Sequence, residues 1–191
     1  MTRQDYEAMF HRMNPGFFER ASIRSLPDDF LYEEMILDLS GFPGGRPPLP
    51  APDGIVYGFF RGEKDALLKS VAEVDENWPQ YFGNTERVYC ACDGARVVSF
   101  CTVGGFCDYT LGGRTLRIGG PGCVGTVPDH RRRGIGLKLV EQATCILRDE
   151  GYDYSWIHYT GVAPWYRKLG YETVLMWNGK GFAQSGPEEA R

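Results

Sequence analysis

Arg131-Arg132-Arg133-Gly134-Ile135-Gly136 is the stretch of this 191-residue chain whose residue types and spacing most directly imply chemistry. Two glycines without a Cβ let successive backbone N–H groups converge on an anion. Ile135, Leu139, Ala143, Ile146 and Leu147 recur at helical spacing just after them, so a helix N-terminus adds positive potential at the same point. The three arginines reinforce it. A phosphate or pyrophosphate is the ligand such a loop favours, and a glycine turn with solvated arginines is the plainer alternative. A nucleoside-triphosphate loop is excluded, because G-x-x-x-x-G-K-[ST] does not occur. A formal G-x-G-x-x-G, at Gly120, Gly122 and Gly125, falls inside a strand candidate instead of opening a helix, so the dinucleotide-binding context fails.

The six cysteines, at 90, 92, 101, 107, 123 and 145, form no C-x-x-C pair and have no nearby His pair. No metal site is expected from them, and buried, reduced thiols are the default reading.

The elements that must position the loop follow from periodicity. Tyr6, Met9, Phe10 and Met13 suggest a short amphipathic helix closed by Asn14-Pro15-Gly16. Phe30 to Leu39 fits a strand or a helix, and its periodicity does not decide. Gly41 to Pro52, with five prolines, reads as a linker. Ile55–Phe60 is a strand candidate. Glu63–Asn77 is a helix with Leu67, Val71, Val74 and Trp78 on one stripe. Asp93-Gly94 joins Arg87–Cys92 to Arg96–Phe106 as a hairpin, and Leu111-Gly112-Gly113-Arg114 turns the chain into Thr115–Val127. Beyond the loop and its helix come a strand over Tyr154–Tyr159, a short helix over Ala163–Leu169 and a last strand over Tyr171–Trp177. The tail from Asn178 is polar and expected to fray.

Composition narrows the classes. Hydrophobic residues make up 42% of the chain and charged residues 24%, which is globular. The excess of acidic over basic residues, 25 against 21, gives a net charge of −4 and argues against a general nucleic-acid binder. No apolar run is long enough to span a membrane, and Met1–Glu7 lacks a signal-peptide core, so a cytoplasmic location is expected. Glycine, 25 of 191 residues, is about twice its usual share of ~7% and clusters at the turns, the linker and the anion loop.

Val127-Pro128-Asp129-His130-Arg131-Arg132-Arg133-Gly134-Ile135-Gly136 resembles the acetyl-coenzyme-A-binding motif of the GNAT N-acetyltransferase superfamily, V-x-P-x-x-[RQ]-x-x-G-x-[GA], with a variable Val–Pro spacing. About 40 residues later, Trp165-Tyr166-Arg167-Lys168-Leu169-Gly170-Tyr171-Glu172 is similar to the family's F-Y-x-K-x-G-F segment. The resemblance covers residues ~53–178. It implies an α/β (α+β) fold, a mixed and mostly antiparallel sheet flanked by helices. The organisation expected is an N-terminal extension and linker over 1–52, an acyltransferase domain over 53–178 and a polar tail over 179–191.

The roles it implies fall on named residues. Backbone amides of Arg132, Arg133, Gly134, Ile135 and Gly136 would hold the coenzyme pyrophosphate, with Arg131 at the leading basic position. Val124, Gly125, Thr126 and Val127 would lend backbone groups to the pantetheine arm. Tyr166 matches the tyrosine that protonates the leaving thiolate, for which a phenol of ordinary pKa near ~10 is suited. Acetyl transfer to an amine also needs a base, yet Arg117–Val127 contains no carboxylate; Asp108 and His158 are the candidates, with a structural role for His158 and a chain of waters as the alternatives. Trp156, Tyr159, Trp165 and Tyr109 suit either an acceptor pocket or the core. The activity implied is direct acetyl transfer from acetyl-CoA to a primary amine of a small molecule. A non-catalytic acyl-CoA-binding sensor and a protein N-acetyltransferase stay open, as does a homodimer.

Overall fold

Periodicity and turn chemistry together produce five α-helices and eight strands over residues 1–184, the residues that the computed structural model describes. In chain order these are α1 (Arg3–Met13), α2 (Ala21–Arg24), β1 (Tyr32–Asp38), β2 (Ile55–Phe59), α3 (Lys64–Val74), β3 (Val88–Asp93), β4 (Arg96–Leu111), β5 (Arg114–Thr126), α4 (Ile135–Asp149), β6 (Tyr154–Thr160), α5 (Ala163–Arg167), β7 (Glu172–Asn178) and β8 (Gly181–Phe182). The strands form one sheet in the order β2-β3-β4-β5-β6-β1-β7-β8. Its described pairings are antiparallel apart from a short parallel register between β5 and β6. The architecture is therefore mixed α/β with a mostly antiparallel sheet, as expected. The chain divides into two compact units, one made of Leu39–Gly104 and Gly120–Gly151, the other of Met1–Asp38, Gly105–Gly119 and the chain from Tyr152 onward.

In the first of these units, β2, β3 and the start of β4 form a meander. The Asp93-Gly94 turn closes the β3–β4 hairpin, with Gly94 at φ +57° where a side chain would be strained. Leu67 and Val71 of α3 pack with Phe82, Val88, Val97 and Phe100. The helix stops at Val74 instead of reaching Asn77, because Asp75 turns to an extended conformation and its carboxylate accepts from the Asn77 amide at 2.8 Å.

The second unit is built round the N-terminal segment. Thr2 and Asp5 form a capping box at the start of α1, each satisfying the other's end of the first turn. Met9, Phe10, Phe17 and Ile23 then bury themselves with Ile36, Trp156, Leu175 and Trp177. The segment Phe30–Leu39, which periodicity left open, is strand β1, paired antiparallel with β6 on one edge and β7 on the other. A β-bulge explains the ambiguity. The register slips between Glu33 and Met35 against β6 and between Glu34 and Met35 against β7. Three consecutive residues, Glu34, Met35 and Ile36, are consequently buried, which breaks the two-residue alternation of a regular strand. The tail is less frayed than expected: β8 pairs with β7, and Phe182 places its ring 5.1 Å from Phe10 and 5.0 Å from Phe18. Residues 185–191 of the expected tail lie outside the described residues.

Candidate functional site

The anion loop begins where β5 ends. Gly125 must be glycine, because a Cβ there would lie 2.5 Å from the Phe100 ring. Its carbonyl accepts from the Ser99 hydroxyl at 2.7 Å, and the Val127 amide donates to the Val98 carbonyl at 3.0 Å. Arg131 folds back, its Nε donating to the Thr126 carbonyl at 3.0 Å. Arg132 (φ +62°) and Gly134 (φ +80°) both take the left-handed conformation. Two such residues so close together turn consecutive amides toward one side. Gly134 is the N-cap of the 15-residue helix α4, and no side chain caps it. The first-turn N–H groups of a long helix thus lack the usual Ser, Thr, Asn or Asp partner. A Cβ on Gly134 would meet nothing within 4 Å, so its left-handed conformation and not crowding is what favours glycine there. Arg131, Arg132 and Arg133 are exposed around it. Amide donors, helix dipole and guanidinium groups suit a diphosphate.

Behind the loop, Asp129 is held by Arg96 at 2.7 Å, and the same guanidinium reaches Glu73 at 2.7 Å. These contacts, with that of His130, pull the Asp129 carboxyl down to about 2. His130 bonds Asp129 at 2.8 Å and Asp93 at 3.2 Å, and those two carboxylates raise its pKa above the ordinary histidine value.

In the other unit, a carboxylate that sequence reasoning missed organises a cluster of aromatic and imidazole side chains. Glu34 has no solvent exposure. Its Oε2 accepts from Trp156 Nε1 at 2.7 Å, and its Oε1 accepts from Trp177 Nε1 at 2.8 Å and from the Tyr159 amide at 3.1 Å. His158 Nδ1 lies 2.9 and 3.0 Å from the same two oxygens. Burying a bare carboxylate costs several kcal/mol, and hydrogen bonds to a charged acceptor recover about 1.5–3 kcal/mol each. Four converging donors are what such a site requires. Tyr159 adopts φ +57°, an uncommon conformation for a non-glycine residue, in presenting its amide.

The His158 ring is flanked by Phe10 and Phe17, with centroids at 5.7 and 5.2 Å, and retains 28% side-chain exposure. A cavity of about 210 Å³ opens beside it, lined by Met13, Asn14, Gly105, Phe106 and His158. A Cβ on Gly105 would come within 2.7 Å of the Tyr152 hydroxyl, so a side chain there would displace the end of the Tyr152 ring.

The other sequence candidates fall as follows. Tyr166 is in α5, 7% exposed, its ring 4.8 Å from Trp165 and 6.0 Å from Tyr171. Trp156 is core, fully buried and bonded to Glu34; Tyr109 packs against the same core. Asp108 is not on a turn: β4 continues through Gly104-Gly105 to Leu111, and Asp108 is an exposed strand residue. Burial pushes the Cys123 thiol up, which disfavours a thiolate. His158 and Tyr166 belong to the same unit as Glu34, and Val124–Val127 and Arg131–Gly136 belong to the other. Among the described residues, no group of three His, Cys, Asp or Glu side chains could hold a metal ion, and no helix is long and apolar enough to cross a membrane.

Comparison with known proteins accounts for this arrangement at the level of fold. The structure is similar to a GCN5-related glucosamine N-acetyltransferase region of a fungal multi-domain GH3 beta-N-acetylglucosaminidase (20% identity, TM-score 0.62), covering 92% of this chain and 22% of that one. It is also similar to a GCN5-related N-acetyltransferase from Sphaerobacter thermophilus (20% identity, TM-score 0.54; 75% of this chain, 48% of that one). A third likeness is to a GCN5-related N-acetyltransferase from Kribbella flavida (18% identity, TM-score 0.54; 85% of this chain, 62% of that one). The chain thus spans between about a fifth and about three fifths of the length of these structures. None of the curated proteins matches. The model of the acetyltransferase (GNAT) domain matches residues 54–174, from β2 through the anion loop into β7. With most of its length in that match and the loop geometry in place, the chain belongs to the GNAT acetyltransferase family.

Proposed function

We propose that this protein transfers an acetyl group from acetyl-CoA, the cofactor of its family, to a primary amine on a small molecule. The uncapped first turn of α4 and the two left-handed residues before it fit the coenzyme's diphosphate. Arg132, Arg133, Gly134, Ile135 and Gly136 would hold it through their amides, with Arg131 beside them and Val124, Gly125, Thr126 and Val127 along the arm. When bound, acetyl-CoA supplies a thioester whose C–S bond breaks as the amine's C–N bond forms.

The chain's own residues handle the protons. An alkylammonium is not a nucleophile, so His158 takes its proton at Nε2, the ring nitrogen not engaged by Glu34. Tyr166 gives its phenolic proton to the departing thiolate and regains one from water. The observation that carries the reading is the cavity beside His158. Its volume, about 210 Å³, exceeds the ~150 Å³ that accommodates benzene and falls short of the ~300–1,000 Å³ of drug-sized pockets. That favours a compact amine over a peptide.

Incubation with acetyl-CoA and a panel of small amines (amino sugars, amino acids, polyamines, alkyl and aryl amines) is expected to release CoA thiol in step with acetylated product. Tight acetyl-CoA binding with no thiol release on any amine would overturn the reading and leave a coenzyme-binding module.

A further inference from the structure

We propose that Glu34 is the positioning residue of this reaction, fixing the tautomer and aim of His158 so that Nε2 presents a lone pair. The inference rests on the reading of His158 as the base. An indole N–H and a backbone N–H can only donate, so the Trp156, Trp177 and Tyr159 contacts make both Glu34 oxygens acceptors. A carboxylate held in that role accepts from His158 as well, which puts the imidazole's own proton on Nδ1. The ring's only acceptor is then Nε2. Phe10 and Phe17 flank the ring and limit its rotation.

The backbone is bent to this purpose. The register of β1 slips against both of its neighbours, between Glu33 and Met35 on the β6 side and between Glu34 and Met35 on the β7 side. On the facing strand, Tyr159 takes a left-handed conformation as its amide reaches the same carboxylate. Bulges that re-aim a side chain and strain of this kind concentrate at functional sites.

The proton balance closes. The substrate's N–H bond breaks, its proton passes to Nε2, and the resulting imidazolium is stabilised by the Glu34 charge through the Nδ1–H bond. The freed lone pair forms the C–N bond, and the C–S bond breaks. The thiolate takes the Tyr166 proton, the acylated nitrogen releases its second proton to water as the neutral amide forms, water restores the Tyr166 phenol, and His158 returns its own proton to water. Glu34 keeps its charge throughout and touches no reacting atom.

Nitrogen-15 NMR of the histidine rings in the wild-type chain tests the assignment, with a His158→Gln spectrum identifying the resonance among the three histidines. The neutral ring is expected as the Nδ1–H tautomer; an Nε2–H tautomer would overturn the proposal. Glu34→Gln supplies the kinetic arm. Its amide N–H would face a ring of donors and favour the opposite tautomer, so kcat is expected to fall about 100-fold, within the range general-base catalysis supplies, with KM for acetyl-CoA unchanged. Wild-type kcat in that variant would also overturn it. If Glu34→Gln does not fold, the wild-type tautomer decides alone. The two failures are separable: no acetyl transfer by the wild-type chain removes the reaction itself, whereas transfer with an Nε2–H tautomer removes Glu34 only.

Discussion

The loop Arg131–Gly136 and the cluster around Glu34 handle charge in opposite ways. In the loop the charges are exposed guanidinium groups and the donors are backbone amides, held in place by glycine conformations and a helix end. Around Glu34 the charge is fully buried, and the donors are two indole N–H groups, an imidazole and one backbone amide, all from residues distant in sequence. Binding at the loop therefore depends on few packing contacts. The Glu34 cluster is bound up with the core of its unit, where Phe10, Phe17, Trp156 and Trp177 serve stability and site geometry together.

That difference predicts how substitutions separate. Phe10→Ala is expected to have the largest effect, about 3–5 kcal/mol of stability with acetyl transfer lost in parallel, read by denaturant unfolding. Full stability with activity lost would show that the aromatic wall is not part of the core. Arg132→Ala combined with Arg133→Ala should leave unfolding unchanged and weaken acetyl-CoA binding roughly thirtyfold by calorimetry, less at high salt. Salt-independent affinity in the wild-type chain would contradict a cationic loop.

The smallest effect concerns His130. Because its pKa is raised in the folded state, its contribution to stability is complete below the ordinary value near ~6.5 and is lost as pH rises through the raised one. Thermal unfolding should show a slight fall in Tm across that window, and His130→Gln should flatten it. The groups that face His130 are Asp93 and Asp129, with Arg133 opposing them. A slope unchanged in His130→Gln would assign it to another group.

The same contrast explains what could be read from sequence. The loop is contiguous, so residue type, spacing and the following helical stripe are all visible in one line. The hairpins and α4 are legible for the same reason, since turn signals and periodicity are local. Glu34 is not local. It lies 122 residues from Trp156, 124 from His158 and 143 from Trp177, and only the insertion of β1 between β6 and β7 brings them together. The bulge hides it further, because three buried residues in a row look neither helical nor stranded. One signal was present: Glu33-Glu34 interrupts an otherwise apolar run. A carboxylate inside such a run needs partners. Asp108 lies on a strand instead of a turn because β4 runs past Phe106, where the run of β-forming residues ends, to Leu111.

The most direct test of the central claim, that His158 is the base of an acetyl transfer to a small amine, is amine-dependent CoA thiol release at saturating acetyl-CoA in the wild-type chain and in His158→Gln. Turnover by the wild-type chain is expected, with a drop of about 10²–10⁴-fold in the variant and acetyl-CoA affinity retained. Equal turnover by the two proteins would contradict it.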